Sequence, residues 1–70
     1  MDVYLVWREV RHEDPTLLAV EATLQDAFAR ARATGLPYSN ASRSVPESVC
    51  VEQWTVGSGY LASVEIPEPT

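Results

Sequence analysis

Seventy residues carrying ten acids against five bases, every base an arginine, make one small domain of net charge −5. That charge repels phosphate backbones and argues against direct nucleic-acid binding. A single cysteine, Cys50, leaves no intramolecular disulfide and no Cys-rich zinc site.

Nearly half the residues are hydrophobic, which suits a folded chain rather than a disordered one. The chain opens on Met1-Asp2 and then five apolar residues, Val3 to Trp7, with no basic leader and no small-residue cleavage site. No signal peptide is expected. No apolar run approaches the roughly 20 residues of a membrane span, so a cytoplasmic protein without a membrane segment is expected.

Asp2 to His12 reads as a strand, rich in Val, Tyr, Leu and Trp. Alternation puts Val3, Leu5 and Trp7 on one face and Tyr4, Val6, Arg8 and Val10 on the other. Both faces are apolar in the first half, as in a central strand covered on both sides. His12-Glu13-Asp14-Pro15 reads as a turn, because Pro15 lacks a backbone donor and Asp favours turns. Thr16 to Ala22 follows as a second strand and closes a hairpin, with Leu18, Val20 and Ala22 on one face and Leu17, Ala19 and Glu21 on the other.

Thr23 is placed to cap a helix, its hydroxyl facing the free N–H near Asp26. Leu24, Ala27, Phe28 and Ala31 fall at i, i+3, i+4 and i+7 and form the buried stripe. Asp26 and Arg30 are expected to pair at i,i+4. Gly35 stops the helix by adopting a left-handed conformation.

Leu36 to Glu47 reads as a loop with Pro37 and Pro46. Its Asn40-Ala41-Ser42 sequon and its Arg43-Ser44-Val45-Pro46 string are taken as accidental. Ser48 to Val56 is a third strand, Gly57-Ser58-Gly59 a turn, and Tyr60 to Ile66 a fourth strand with Tyr60, Ala62, Val64 and Ile66 alternating. The predicted fold is α+β: a ββαββ chain forming a four-stranded antiparallel sheet of order 2-1-3-4, one helix on one face. Residues 1–66 form the domain, and 67–70 a disordered tail.

No residue pattern points to catalysis, a metal or a cofactor. His12 and Cys50 are a conceivable acid–base and nucleophile pair, but Cys50 alternates within an apolar strand, the ordinary place of a small buried hydrophobe. Three consecutive residues, His12, Glu13 and Asp14, rarely converge on one ion. Glu9, Glu21, Glu52 and Glu65 fit exposed strand positions. The expected protein is not an enzyme and holds no cofactor.

Trp7, Trp54, Tyr4, Tyr38 and Tyr60 are many polar-edged aromatics for so short a chain, and such residues concentrate at interfaces. One helix covers one face of the sheet. The other face then presents Tyr4, Val6 and Val10, or Leu5 and Trp7 in the opposite register, as a patch that a homodimer or a docking protein partner is expected to cover. Candidate contact residues are Tyr4, Val6, Trp7, Glu9, Glu52 and Trp54.

The run Val3-Tyr4-Leu5-Val6-Trp7, then Leu18-Ala19-Val20 and the helix start Thr23-Leu24-Gln25-Asp26-Ala27, resembles small uncharacterised domains of bacterial and phage genomes. The resemblance spans about residues 3–56 and implies the same strand, hairpin, helix and Trp-bearing strand, with no activity to carry over. The acidic insert such domains carry after the helix is missing here. Size and charge are also similar to those of small phage inhibitors of host defence, anti-CRISPR proteins among them.

The expected function is an acidic, non-enzymatic protein-binding module, a regulator or inhibitor covering a basic partner surface through the open sheet face. The alternative is a homodimer binding a small molecule in an aromatic-lined pocket.

Overall fold

The computed structural model describes residues 1–39 and 46–67. Five elements follow one another: β1 (Asp2–Val10), β2 (Thr16–Glu21), α1 (Leu24–Ala33), β3 (Glu47–Thr55) and β4 (Gly59–Val64). All neighbouring strands are antiparallel, in the order β2-β1-β3-β4, with the helix on one face. This is the predicted ββαββ sheet.

The helix begins as its sequence dictates. Thr23 is extended (φ −128°, ψ 151°) and its Oγ1 accepts from the Asp26 N–H at 3.2 Å. Gly35 takes φ 70° just beyond the last turn, a conformation that costs glycine little. Ala27 and Ala31 are fully buried, and their small side chains let the helix lie close to the strands. They pack with Val6, Val49, Val51 and Ile66, and around that cluster sit Tyr4, Ala19, Leu24, Phe28, Leu36, Tyr38 and Val64. Arg30 departs from expectation: its Nε donates to Glu21 Oε2 at 2.9 Å, reaching across to β2 rather than along the helix to Asp26.

Strand ends differ from the sequence pattern for hydrogen-bonding reasons. β1 stops at Val10 because the Val10 carbonyl accepts from the Glu13 N–H at 3.1 Å and turns the chain, with His12 at φ 66°. β4 stops at Val64 because β3 offers it no further edge. Past Val51, that edge is taken by the residues after the helix: Val49 donates to the Pro37 carbonyl at 2.9 Å and Ser39 donates to the Val49 carbonyl at 3.0 Å. Ile66, two residues beyond the end of β4, fills the core.

Two irregularities break the strict alternation predicted for β2 and β4. Leu17 pairs with Trp7 while Ala19 pairs with Val6, so Leu18 is an extra residue. Tyr60 pairs with Trp54 while Ala62 pairs with Gln53, so Leu61 is extra. Each bulge switches the face of the residues before it.

The sequon at Asn40 and the Arg43-Ser44-Val45 string lie outside the described residues, as do residues 68–70 of the predicted tail. Pro67 accepts from the Arg32 guanidinium at 3.4 Å. Among the described residues no helix is long and apolar enough to cross a membrane.

Candidate interaction face

Facing residues of antiparallel strands share a side of the sheet, so the register assigns every strand residue to a face. The helix side takes Tyr4 and Val6 of β1, Ala19 and Glu21 of β2, Val49 and Val51 of β3, and Ala62 and Val64 of β4. The open side takes Val3, Leu5, Trp7 and Glu9; Leu17 and Val20; Ser48, Cys50, Glu52 and Trp54; and Tyr60 and Ser63.

Of the two registers the sequence allows, the chain adopts the one that opens Leu5 and Trp7. Of the candidate contact residues, Trp7, Glu9, Glu52 and Trp54 come together on the open side. Tyr4 and Val6 do not: they point under the helix, and Val6 is fully buried. Val6 sits opposite Val51 and Ala19, where the helix supplies the apolar cover, so it has no surface to offer a partner.

Leu17 and Val20 are open-face residues that alternation alone does not bring together. Leu17 is 44% exposed and Val20 55%. The bulge at Leu18 puts Leu17 beside Trp7, and the bulge at Leu61 puts Tyr60 beside Trp54. Trp54 and Tyr60 meet edge to face, centroids 5.8 Å apart at 77°. Gly59, at φ 96° as the first residue of β4, is the local signal of this irregularity. Among the described residues the Trp7 indole nitrogen is buried and finds no hydrogen-bond partner.

Charge divides by face. Arg8 donates through Nε and Nη2 to Glu47 Oε2 at 2.9 and 2.8 Å, Arg30 pairs with Glu21, and Arg32 lies 5.9 Å from the Phe28 ring centre. All three belong to the helix side, and Arg11 lies in the turn after β1. The open face carries Glu9 and Glu52 with no arginine paired to either among the described residues. The Trp54 indole N–H donates to Glu52 Oε1 at 3.0 Å.

Cys50 lies between these two carboxylates. Burial pushes its thiol pKa far above the usual range, and the hydrogen bond to Glu9 and the negative charges of Glu9 and Glu52 push the same way. A thiolate nucleophile needs the opposite environment. His12 is remote along the ladder: Cys50 faces Trp7, and His12 lies beyond the end of β1. Among the described residues no group of three His, Cys, Asp or Glu side chains is placed to hold a metal ion.

An open cleft of about 400 Å³ adjoins Cys50, lined by Glu9, Ser39, Val51, Glu52, Ser63, Val64 and Glu65 as well. Among the described residues its walls are carboxylates, hydroxyls and valines beside the Cys50 thiol. Comparison with known protein families, with curated proteins and with solved structures brought no match.

Proposed function

We propose that this chain is a non-enzymatic protein-binding module that docks its open sheet face on a basic surface of a partner. The observation that carries the reading is the joint pattern of that face: exposed Leu17, Val20 and Tyr60 surround half-buried Leu5, Trp7 and Trp54, while the charges within it, Glu9 and Glu52, are of one sign. Apolar area supplies affinity and the carboxylates supply orientation and encounter rate. A second copy laid face to face would bring like charges together over the same patch, which disfavours a homodimer through this face and favours a basic partner. Small size and acidity suit an inhibitor masking a basic surface, the role of phage anti-defence proteins.

The test is affinity capture from a lysate of the organism carrying the gene, then titration of the purified partner against wild type and a Leu17→Ser/Val20→Ser variant. Both residues lie outside the core, so the variant keeps its fold. A drop of about tenfold or more in affinity is expected, the effect of removing central apolar contacts. A partner bound equally well by both proteins overturns the reading.

A further inference from the structure

The cleft beside Cys50 arises from the competition for one edge of β3. The residues at Pro37 and Ser39 bond to Val49, β4 pairs from Val51 onward, and neither segment closes the gap between them. Three carboxylates from three parts of the chain converge on it: Glu9 from β1, Glu52 from β3 and Glu65 from just after β4. None of the three is paired with an arginine among the described residues, whereas Glu21 and Glu47 on the helix side both are. A concave wall of one sign concentrates field and draws a cation.

We propose that the cleft receives an arginine side chain of the protein docked on the open face. The inference rests on the open-face reading and names its anchoring contact. The volume, about 400 Å³, lies near the lower end of ligand pockets, enough for a single long side chain. Arginine fits better than lysine. Its planar fork of donors can serve two carboxylates at once, and its weaker hydration lowers the cost of leaving water. Apolar neighbours of that arginine in the partner would meet Leu5 and Trp7, which pair with Glu52 and Cys50 in the ladder.

The experiment titrates isotope-labelled protein with a capped peptide holding one arginine between valines, and with the same peptide carrying citrulline or lysine instead. Amide shifts are followed at Glu9, Cys50, Glu52, Ser63 and Glu65. The arginine peptide is expected to shift these amides saturably, at least tenfold more tightly than the citrulline peptide and more tightly than the lysine peptide. A Glu9→Gln/Glu52→Gln/Glu65→Gln variant, its fold verified by an unchanged spectrum along α1, is expected to lose that advantage. Equal binding of the arginine and citrulline peptides overturns the proposal, as does the absence of shifts at these amides with about 10 mM arginine peptide, beyond the range of a weak specific contact. Failure of the open-face reading is separate: it shows as a whole partner indifferent to Leu17→Ser/Val20→Ser.

Discussion

Trp54 donates its indole N–H to the Glu52 carboxylate at 3.0 Å, two positions back on the same strand and the same face. The same ring packs edge-on against Tyr60, whose hydroxyl shares a 3.1 Å hydrogen bond with Ser63. A continuous set of contacts thus orders the β3–β4 half of the open face. It holds a carboxylate at the cleft and an aromatic surface beside it.

Replacing Trp54 by Phe keeps a ring for Tyr60 and deletes the donor. The bond to an ionised group is worth about 1.5–3 kcal/mol, toward the lower figure here because the site is only half-buried. Urea denaturation of Trp54→Phe, Glu52→Ala and the double variant isolates the pair. The two single costs are expected to exceed the double cost by about that amount; simple additivity would show that the bond contributes nothing.

Thr23→Ala removes the side-chain acceptor of the Asp26 N–H at the start of α1. The expected cost is about 1 kcal/mol, and Thr23→Ser should restore most of it, because serine offers the same oxygen. Thermal melts of the three proteins decide the matter. A Ser variant as weak as the Ala variant would mean that the methyl group, not the cap, is what matters.

Core and open face should respond oppositely to polarity. Ile66 is 1% exposed, and Ile66→Ala is expected to cost about 2–5 kcal/mol. For a domain this small that loss approaches the whole stability. Leu17→Ser/Val20→Ser is expected to change stability by less than about 1 kcal/mol and to raise solubility. If the double variant unfolds as readily as Ile66→Ala, the open face is a second core rather than a docking surface.

Element order and strand order were legible because local signals agree: the Thr23 cap, the Leu24/Ala27/Phe28/Ala31 stripe and the glycine turns all mark the same boundaries. The choice of buried face was not. β1 is apolar on both sides, so Val3/Leu5/Trp7 and Tyr4/Val6/Val10 look alike in alternation, and only the helix decides between them. Ala27 and Ala31 press on Val6, Val49 and Val51, and the other side stays open. The bulges at Leu18 and Leu61 leave almost no sequence trace, which is why Leu17 and Tyr60 reach the face unannounced. The cleft was equally hidden, since it depends on where two non-adjacent segments stop sharing the edge of β3.

Asp2 supplies an acid-side test. Its carboxylate accepts from Thr55 Oγ1 at 2.8 Å and from Gln53 Nε2 at 2.7 Å, and these bonds, the Thr55 one foremost, hold its pKa below the ordinary 3.8. A folded-state pKa below the unfolded value stabilises the fold above pH 3.8, and the benefit disappears as pH falls through the folded value. The site is fully exposed, so the effect is small. Asp2→Asn should flatten the fall in melting temperature on the acid side of pH 4, read as the difference from wild type. Parallel curves would mean that the bonds do not persist in solution.

Cys50 supplies the test at the other end of the scale. Burial, the hydrogen bond to Glu9 and the charges of Glu9 and Glu52 raise its thiol above the ordinary 9.0, so the folded state keeps its proton when the unfolded state would lose it. The stabilisation is therefore complete below pH 9 and declines as pH rises past it, because the unfolded chain gains by ionising first. Cys50→Ala removes that decline. The difference in melting temperature between wild type and the variant should be constant from pH 6 to 8 and should shift in favour of the variant above pH 9. The same protonated thiol should react with iodoacetamide at pH 8 far more slowly than a free cysteine, since only the thiolate attacks. Glu9→Gln/Glu52→Gln should speed that reaction by removing both carboxylate charges. Alkylation of the native protein at the rate of a free thiol would show that Cys50 is neither desolvated nor held between these two acids.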